Sequence, residues 1–561
     1  MDRRVLIAVL LMLVVAIAPS LIWPPKPADR RVAEPADSVA AAPDVPPAAP
    51  AGGARDTVVT PPPTRPPAQA PADTVWVTSP LYRFGFSTRG AGLVVAELSQ
   101  YRSFARGDTG RLVQLVPPGA ALLTHALVAG GDTVRLDDWT FRASASAVAV
   151  QDAPGRLELT ARREGAEIRL TYDFAPDRYV FGLTGQVTGL GPSGAQLLVG
   201  LGRGLRSVEA DSADDFRNFA LVTRNTRTES ERFSSVDSGE VEVLDGPFGW
   251  AGVKSKYFFA AVLAIEANQP PFSGAVMRGV QEARRAAPRA EVLLTRPLPP
   301  DGAFRYQVYA GPMDQKRLAR IGHGLDDANP YGWIFRPIVQ PVSVFVVDIL
   351  LWMHEQLNLE YGWVLIIFGV LVRLALWPLN QKAMESGIRM QAVAPLIKEI
   401  QERHKNEPER LQREMLRIYR EHKVNPFGGC LPMLLPMPVL LALFFVFANT
   451  IEFRGVSFMW LPDLSRPDPY YVIPVLMGLS MFAVSKVGQI GIPPNPQSKM
   501  LLYVMPIFLT VLFLNFASGL NLYYAASNVF SLPQQYLIAR RRLREAPVPR
   551  APAPRRAGGS S

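Results

Sequence analysis

The sequence predicts a multi-pass α-helical membrane protein that also carries an all-β sandwich domain. Three observations predict this fold class. Six apolar runs are long enough to cross a bilayer as helices. Residues 74–313 instead alternate short apolar and polar stretches between Gly, Asp and Pro turns, which is typical of a β-sandwich. Lysine and arginine concentrate in alternate loops, as expected when every second loop is cytoplasmic.

The first predicted elements are a membrane anchor at residues 1–23 and a disordered tether at residues 24–73. Arg3 and Arg4 precede the apolar run and favour a cytoplasmic amino terminus. Ala16 and Ala18 also fit the cleavage pattern of a signal peptide, which is the alternative. Because the apolar run continues past that point, we predict an uncleaved anchor. The tether is rich in proline and alanine, so it has too few residues for a core.

Residues 74–330 are predicted to form the β-sandwich domain, which follows the outward-going anchor and so lies in the periplasm. The single cysteine, Cys430, excludes an intramolecular disulfide. Five histidines in 561 residues argue against a metal cluster, and no nucleophile motif or phosphate loop is present. We therefore expect no catalytic residue, no metal and no cofactor, and a protein that is not an enzyme.

Residues 331–357 predict an amphipathic helix that lies in the bilayer interface. Its apolar residues recur at steps of three and four, while charged and amide residues interrupt the run. A helix packed on the β-sandwich would show the same periodicity and is the alternative. The predicted apolar stripe consists of Phe335, Ile338, Val342, Phe345, Ile349 and Met353.

Residues 358–542 predict a core of five spans. Together with the anchor this makes six spans, at residues 5–23, 361–379, 427–448, 470–487, 500–516 and 520–537. Residues 380–425 predict a cytoplasmic hairpin of two amphipathic helices, which is either a solvated cap or a mobile receiving arm. Residues 543–561 predict a disordered basic cytoplasmic tail.

The net charge of +10 is explained by the loops. The hairpin, the loop near Lys486 and Lys499, and the tail from Arg540 are basic, whereas residues 451–469 mix acids and bases. Both termini are therefore predicted in the cytoplasm of a bacterial cell with the β domain in the periplasm. Since basic residues in the predicted cytoplasmic loops explain the net positive charge, we expect no DNA partner. The basic tail leaves ribosomal RNA and anionic lipid open as alternatives.

Arg373 is the residue most indicative of function. It lies six residues from the cytoplasmic end of its predicted span, roughly 9 Å deep at about 1.5 Å of rise per residue. No later predicted span contains Asp or Glu to neutralise it. A water-filled cavity would keep the arginine charged, and snorkelling of its side chain to the interface is the alternative.

The last predicted span carries a polar stripe at steps of three or four residues. Its members are Asn521, Tyr524, Asn528, Ser531 and Gln535. Hydrogen bonding between helices is one use of such residues. Together with an unpaired arginine, a hydrophilic groove is the better explanation. A groove open to cytoplasm and lipid would admit a polar loop of a client protein while its apolar helix moves into lipid.

Two other classes of protein compete with this interpretation. A secondary transporter or channel also needs a charged wet cavity, but we find neither an internal repeat nor a second ionisable residue for coupling. An envelope scaffold would not need five apolar spans.

Residues 332–542 resemble the YidC/Oxa/Alb insertase family, in particular its members with a large periplasmic domain. The motifs are Val372-Arg373, Trp377-Pro378-Leu379, Lys423-Val424-Asn425-Pro426-Phe427-Gly428-Gly429-Cys430, Asp468-Pro469-Tyr470-Tyr471, and Ser518-Gly519-Leu520 with Tyr523-Tyr524 and Ser527-Asn528. The anchor, tether and β domain match the layout of that family, so the resemblance covers nearly the whole chain.

The resemblance implies an insertase and chaperone for newly made membrane proteins, with a five-helix core and a hydrophilic groove whose positive charge is Arg373. It implies client contacts at Gly369 and Tyr524, and a mobile recruiting hairpin. The implied partners are nascent membrane proteins, the ribosome, the Sec translocon and the lipid bilayer. Pro436 stands where many members have glutamine, which alters the polarity expected of that wall.

Overall fold

The computed structural model describes residues 73–130, 132–189, 195–264, 271–280, 289–329, 331, 336–381, 393, 396–397, 399–404, 407–422, 437–491 and 496–545. The predicted anchor, the tether up to residue 72, Cys430, Pro436 and the tail beyond residue 545 lie outside these ranges. The interpretations of those segments stay predictions.

The amino-terminal part of the described chain is built from β-strands. In chain order they are β1 (Thr74–Thr78), β2 (Tyr82–Ser87), β3 (Leu93–Arg102), β4 (Leu112–Gln114), β5 (Thr124–Ala129), β6 (Asp132–Arg135), β7 (Arg142–Ala143), β8 (Ala147–Ala149), β9 (Gly155–Arg163), β10 (Ala166–Phe174), β11 (Val180–Thr188), β12 (Gln196–Gly200), β13 (Ala220–Arg224), β14 (Thr228–Arg232), β15 (Val241–Phe248), β16 (Trp250–Lys254), β17 (Phe258–Leu263), β18 (Phe272–Val280), β19 (Arg289–Pro297) and β20 (Ala303–Pro312).

These strands form three sheets. Their orders are β4-β3-β2-β1-β8, β14-β13-β16-β17-β20-β11-β10-β9-β7 and β15-β18-β19-β12-β5-β6. The paired strands are antiparallel except for β1 and β8. The alternation predicted from the sequence is visible in β10, where Ile168 and Leu170 are buried while Arg169 between them is exposed.

The nine-stranded sheet packs against both other sheets through one face. Tyr172 of β10 and Tyr306 of β20 lie on that face, because both are cross-strand partners of Leu183 of β11. Tyr172 contacts Phe86 of the five-stranded sheet at 4.6 Å between ring centroids. The hydroxyl oxygen of Tyr306 lies 2.6 Å from Nε2 of His125 in the six-stranded sheet. The predicted β-rich domain is confirmed, and one face of its largest sheet is shared by the two smaller sheets.

Helices make up most of the remaining described chain. They are α1 (Ser212–Arg217) and α2 (Gln315–Ile321) beside the sheets, then α3 (Arg336–Leu357), α4 (Tyr361–Ala375), α5 (Pro408–Glu421), α6 (Met437–Asn449), α7 (Val472–Gly488), α8 (Pro496–Phe513) and α9 (Ser518–Glu545). Short 3₁₀ turns occur at Phe233–Ser235, Leu325–Ala328 and Ile451–Phe453.

Helix α5 belongs to the predicted hairpin, which forms a unit separate from the rest of the described chain. Ile418 of α5 clusters with Val393, Ile397 and Ile400 of the preceding helical segment. These are the apolar residues from which the sequence predicted two amphipathic helices. The exposed side of α5 carries ion pairs at helical spacing, such as Arg417 with Glu421 at 2.7 Å.

None of the helices in the described ranges is at once long and apolar enough to span a membrane. The count of six spans therefore stays a prediction.

Helix α3 packs through a face that includes part of the predicted stripe, since Met353 is buried and Val342 and Ile349 pack against the same core. Its buried residues are Val339, Ser343, Val346, Val347, Leu350, Leu351 and Met353. Ser343 Oγ donates a hydrogen bond to the backbone oxygen of Ala442 on α6 at 3.4 Å. Phe345, placed in the stripe by the sequence, is 64% exposed. Contact with α6 decides which residues of α3 are buried, and the position of the stripe in the bilayer interface stays a prediction.

The helices α4, α7 and α9 run in the same direction. Gly369 of α4 lies beside Tyr523 of α9, and further along both helices the Gln534 side chain donates to the backbone oxygen of Trp377 at 3.3 Å. Helix α8 is antiparallel to α7, since Gly478 meets Thr510 while the later Phe482 meets the earlier Tyr503. These directions agree with the alternation of spans predicted from loop charge.

The β domain docks on the segment that follows α6. The Asn329 side chain donates to the backbone oxygen of Asn449 at 2.6 Å, and the hydroxyls of Tyr331 and Thr450 lie 3.3 Å apart. Ile451 is buried within the apolar core of the β domain. The end of α6 is therefore fixed to the β domain by both polar and apolar contacts.

Glu452 makes this junction sensitive to pH. Burial, and then the charge of Asp314, raises the pKa of Glu452 to about 7. The other titratable groups that act on it or feel its charge are Lys316, Tyr101, Tyr331 and Tyr361, and the backbone amides of Glu452 and Gln315 bond to its carboxyl group. Because folding favours the neutral acid, its stabilising effect is complete below its usual pKa of 4.5 and is lost as pH rises through 7.

We expect Glu452→Gln to remove this pH dependence. Between pH 5 and 8 the free energy of unfolding of the wild type should fall by about 2 kcal/mol more than that of the variant. Thermal unfolding midpoints of the purified protein across this range test the expectation. Glu355→Gln, at a glutamate that is 56% exposed, is the control and should follow the wild type. Parallel pH profiles of wild type and Glu452→Gln would contradict the assignment.

Candidate functional site

Arg373 lies on α4 and faces α9. Its side chain is partly buried, and its Nε atom is buried without a hydrogen-bond partner in the part of the chain that the structure describes. It interacts electrostatically with the phenol groups of Tyr523 and Tyr524. No acidic group among the described residues contributes to that environment. A positive charge is thus held between two helices without a carboxylate to neutralise it.

Gly369, one turn before Arg373, allows α4 and α9 to approach closely. A Cβ atom at this position would lie 3.3 Å from both Cδ2 and the backbone oxygen of Tyr523, and 3.6 Å from the backbone nitrogen of Ser527. Gly369 is buried in this contact. The structure thus brings Gly369 and Arg373 together against the same two turns of α9.

We expect Gly369→Ala to destabilise the protein by about 1 kcal/mol, because the added methyl group crowds a backbone atom that has little freedom to shift. Alanine by itself favours a helix by about 0.5–1 kcal/mol over glycine. A net loss can therefore arise only from the contact between α4 and α9. The thermal unfolding midpoint measures the effect, and an unchanged or higher midpoint would contradict this packing.

The first part of the polar stripe on α9 contacts α8. Asn521 is fully buried, and its Nδ2 donates to the backbone oxygen of Phe513 at 3.0 Å. The Oδ1 atom of Asn521 has no hydrogen-bond partner within the described ranges. Tyr524 stacks on Phe513 at 6.2 Å between ring centroids. At this end of the stripe, the side-chain nitrogen of Asn521 is hydrogen-bonded, while its side-chain oxygen has no partner among the described residues.

The second part of the stripe contacts α7. The Nδ2 of Asn528 donates to Ser480 Oγ at 3.2 Å, and Ser531 Oγ donates to the backbone oxygen of Asn528 at 2.7 Å. Asn528 therefore bonds one helix to another, which is the alternative that the sequence left open. Gln535 keeps a buried Oε1 that lacks a partner among the residues described. The stripe both joins helices and leaves polar atoms unsatisfied.

Sequence reasoning missed Gln534, Asn380 and Ser480, which help to position this site. Gln534 is buried, donates to the Trp377 backbone oxygen and accepts from Asn380 Nδ2 at 3.2 Å. These bonds tie the chain after α4 to α9, one to two turns beyond Arg373. Ser480 provides the acceptor on α7. Gln534 stands next to Gln535 in the sequence, but the periodicity of the stripe did not include it.

The loop between α6 and α7 bonds to the first turn of α9. The backbone nitrogen of Ser518 donates to the Arg466 oxygen at 2.7 Å, and that of Gly519 donates to the Leu464 oxygen at 2.9 Å. Ser518 Oγ donates to the Asp463 backbone oxygen at 3.2 Å. The first amides of α9, which a helix leaves unpaired, are therefore satisfied by this loop.

Within the described ranges, no three His, Cys, Asp or Glu side chains are grouped so as to bind a metal ion. The arrangement offers instead one positive charge, two phenols and unpaired amide oxygens on the walls between helices. Such a surface binds polar peptide groups and acidic side chains.

Two family models match this chain. Residues 74–344 match the YidC periplasmic domain and residues 352–545 match the 60Kd inner membrane protein family. The chain thus combines a periplasmic β domain with an inner-membrane part, as the sequence predicted. The boundary between the two matches falls within α3.

Curated relatives match over most of their length. The membrane protein insertase YidC of Citrifermentans bemidjiense is 34% identical over 547 residues, which is 96% of this chain and 99% of that protein. The same insertase of Geobacter sp. is 32% identical, covering 84% of this chain and 86% of the relative. A solved structure of an active YidC insertase covers 83% of this chain and 94% of its own, with 17% identity and a TM-score of 0.33. The chain therefore belongs to the YidC family of membrane protein insertases.

Proposed function

We propose that this insertase works through a hydrophilic groove bounded by α4, α7 and α9, with Arg373 as its positive charge. The observation that carries the proposal is a buried guanidinium nitrogen with no hydrogen-bond partner among the described residues. A buried charge without a protein partner is stabilised by water or by a bound polar segment. Both occur in a groove that receives the polar part of a client.

Other polar atoms along α9 support the same interpretation. Asn521 Oδ1 and Gln535 Oε1 are buried acceptors that lack partners within the described ranges. An unsatisfied buried acceptor costs about 1–3 kcal/mol, so water or client backbone amides are expected to pair with them. Tyr524 adds a phenol next to Arg373. Gly369 contributes a close contact between helices, and a client contact at Gly369 stays a prediction.

The proposed mechanism needs no fuel. A polar segment of the client enters the groove from the cytoplasm and pairs with Arg373, while residues 451–471 close the outer end. The hydrophobic segment of the client then moves from the groove into lipid, and burial of its apolar surface drives the step. Partial entry shortens the distance over which the polar segment must cross without hydration.

The topology and partners form part of the proposal. We infer six spans, with both termini in the cytoplasm, and direct contacts with newly made membrane proteins and lipid. The ribosome and the Sec translocon are further proposed partners, supported by membership of the family. The cytoplasmic hairpin that contains α5 and the basic tail offer charged surfaces for such contacts.

Reconstitution of the purified full chain in liposomes tests this function. A single-span reporter protein should insert when the chain is present and should not insert into protein-free liposomes of the same composition. Liposomes that contain the chain should show no added ion conductance or solute uptake. Insertion that requires a further component would contradict autonomous activity, and specific solute transport would favour a transporter or channel.

A further inference from the structure

The loop between α6 and α7 is bound on two sides. Its first residues enter the β domain, and its later residues bond to the first turn of α9. Arg454 is the central residue of the first contact. Its side chain is 3% exposed and its Nε donates to Glu209 Oε1 of the β domain at 2.8 Å, where the Glu209 side chain is 11% exposed.

Arg454 is held by more than this ion pair. It also donates to the backbone oxygens of Arg102 at 2.9 Å and Val208 at 3.4 Å. Its guanidinium lies over the ring of Phe104 at 4.4 Å, and over that of Phe258 at 5.4 Å. The charge is therefore paired, hydrogen-bonded and enclosed by aromatic faces, all within the β domain.

The backbone next to Arg454 fits the β domain equally closely. Gly455 has a φ of +72°, and a Cβ atom there would lie 2.6 Å from the ring of Phe104. Glycine is required because the left-handed conformation and the close ring both exclude a side chain. The loop therefore enters the β domain in one defined position.

The later residues of the same loop contact the first turn of α9. Asp463, Leu464 and Arg466 provide the three backbone oxygens that accept from Ser518 and Gly519 at the start of α9. The segment between the two contacts is short and internally bonded, since Leu464 N donates to the Val456 oxygen at 2.8 Å. A displacement of residues 454–456 is therefore transmitted to the cap of α9.

We propose that Arg454 is a positioning residue that couples the docked β domain to the closure of the groove at its outer end. The β domain, the loop and the first turn of α9 then form one mechanical unit. This assigns the β domain a role in the site, although it contributes no group to the groove. The closure rests on the groove proposed above, whereas the coupling of Arg454 to the first turn of α9 is measured without a client and is tested separately from insertion.

Hydrogen–deuterium exchange of the full chain in lipid nanodiscs tests the coupling. In Arg454→Ala the amides of Ser518 and Gly519 should exchange at least about tenfold faster than in the wild type, because the buried Glu209 is left unpaired and the loop is released. Arg454→Lys keeps the charge and should restore a large part of the protection. Arg466→Ala is the matched control, since the loop uses the backbone oxygen of this residue and its side chain is exposed.

A second variant guards against loss of the fold. Glu209→Gln keeps the shape of the side chain and should accelerate exchange at Ser518 and Gly519 by roughly threefold, while strands β10 and β11 stay protected. If Arg454→Ala unfolds the β domain, the exchange rates of Ser518 and Gly519 in Glu209→Gln provide the test instead. Faster exchange confined to residues 449–456, with Ser518 and Gly519 unchanged in both variants, would overturn the proposal.

Discussion

Replacing Arg373 with alanine is expected to reduce insertion of a single-span reporter by at least about tenfold. A hydrogen bond to a charged group contributes about 1.5–3 kcal/mol, and each 1.4 kcal/mol corresponds to about a factor of ten. Arg373 has no acidic partner among the described residues, so its charge is free to pair with the client. Arg373→Lys retains the charge and should keep most of the activity.

The stability of the same variants separates function from folding. Because Arg373 makes no ion pair in the described part of the chain, Arg373→Ala should leave the thermal unfolding midpoint close to that of the wild type. Arg541→Ala removes an exposed charge at the far end of α9 and serves as the control. Full insertion by Arg373→Ala would contradict a role for the charge, and a collapse in stability would assign Arg373 to folding.

Replacing Asp468 with alanine is expected to lower the free energy of unfolding by about 3 kcal/mol. Asp468 is fully buried and accepts from the backbone nitrogens of Tyr470 at 3.0 Å and Ile473 at 2.8 Å. It also accepts from Trp460 Nε1 at 3.5 Å. Each buried donor left unpaired costs about 1–3 kcal/mol, and alanine unpairs the Tyr470 amide just before α7 and the Ile473 amide in its first turn.

Asp468→Asn tests the reason for this loss. Asparagine retains one acceptor oxygen, so its cost should be about 1 kcal/mol, well below that of alanine. Thermal unfolding of the three proteins in the same detergent provides the comparison. Equal midpoints for wild type and Asp468→Ala would show that Asp468 does not cap α7, despite its two short hydrogen bonds.

The polar residues of α9 show what a sequence pattern can predict and what it cannot. Their spacing predicted one face of a helix, and the structure places Tyr524 of that face near Arg373. Gly369 instead contacts Tyr523 and Ser527, which the pattern did not include. Spacing did not predict that Asn528 would bond to Ser480 of α7. A period of three to four residues identifies a face, but which neighbour covers that face depends on how the helices pack.

Residues outside the periodic pattern were the ones that sequence reasoning missed. Gln534 joins α9 to Asn380, which lies 154 positions earlier. Arg454 pairs with Glu209 across 245 positions. Neither pair has a local signature, because an isolated arginine or glutamine in a loop or helix is ordinarily exposed. Only the folded chain brings the partners within reach.

The sequence by itself determined the division into a β-rich and a helical part, the β alternation and the family motifs, because these depend on local periodicity and on charge along the chain. The tertiary structure decided that Phe345 of α3 is exposed, that Gly369 is a contact between helices, and that Arg454 docks the β domain. These outcomes depend on which apolar faces meet and which buried charges pair. Both are set by the total free energy of packing and desolvation rather than by any local stretch of sequence.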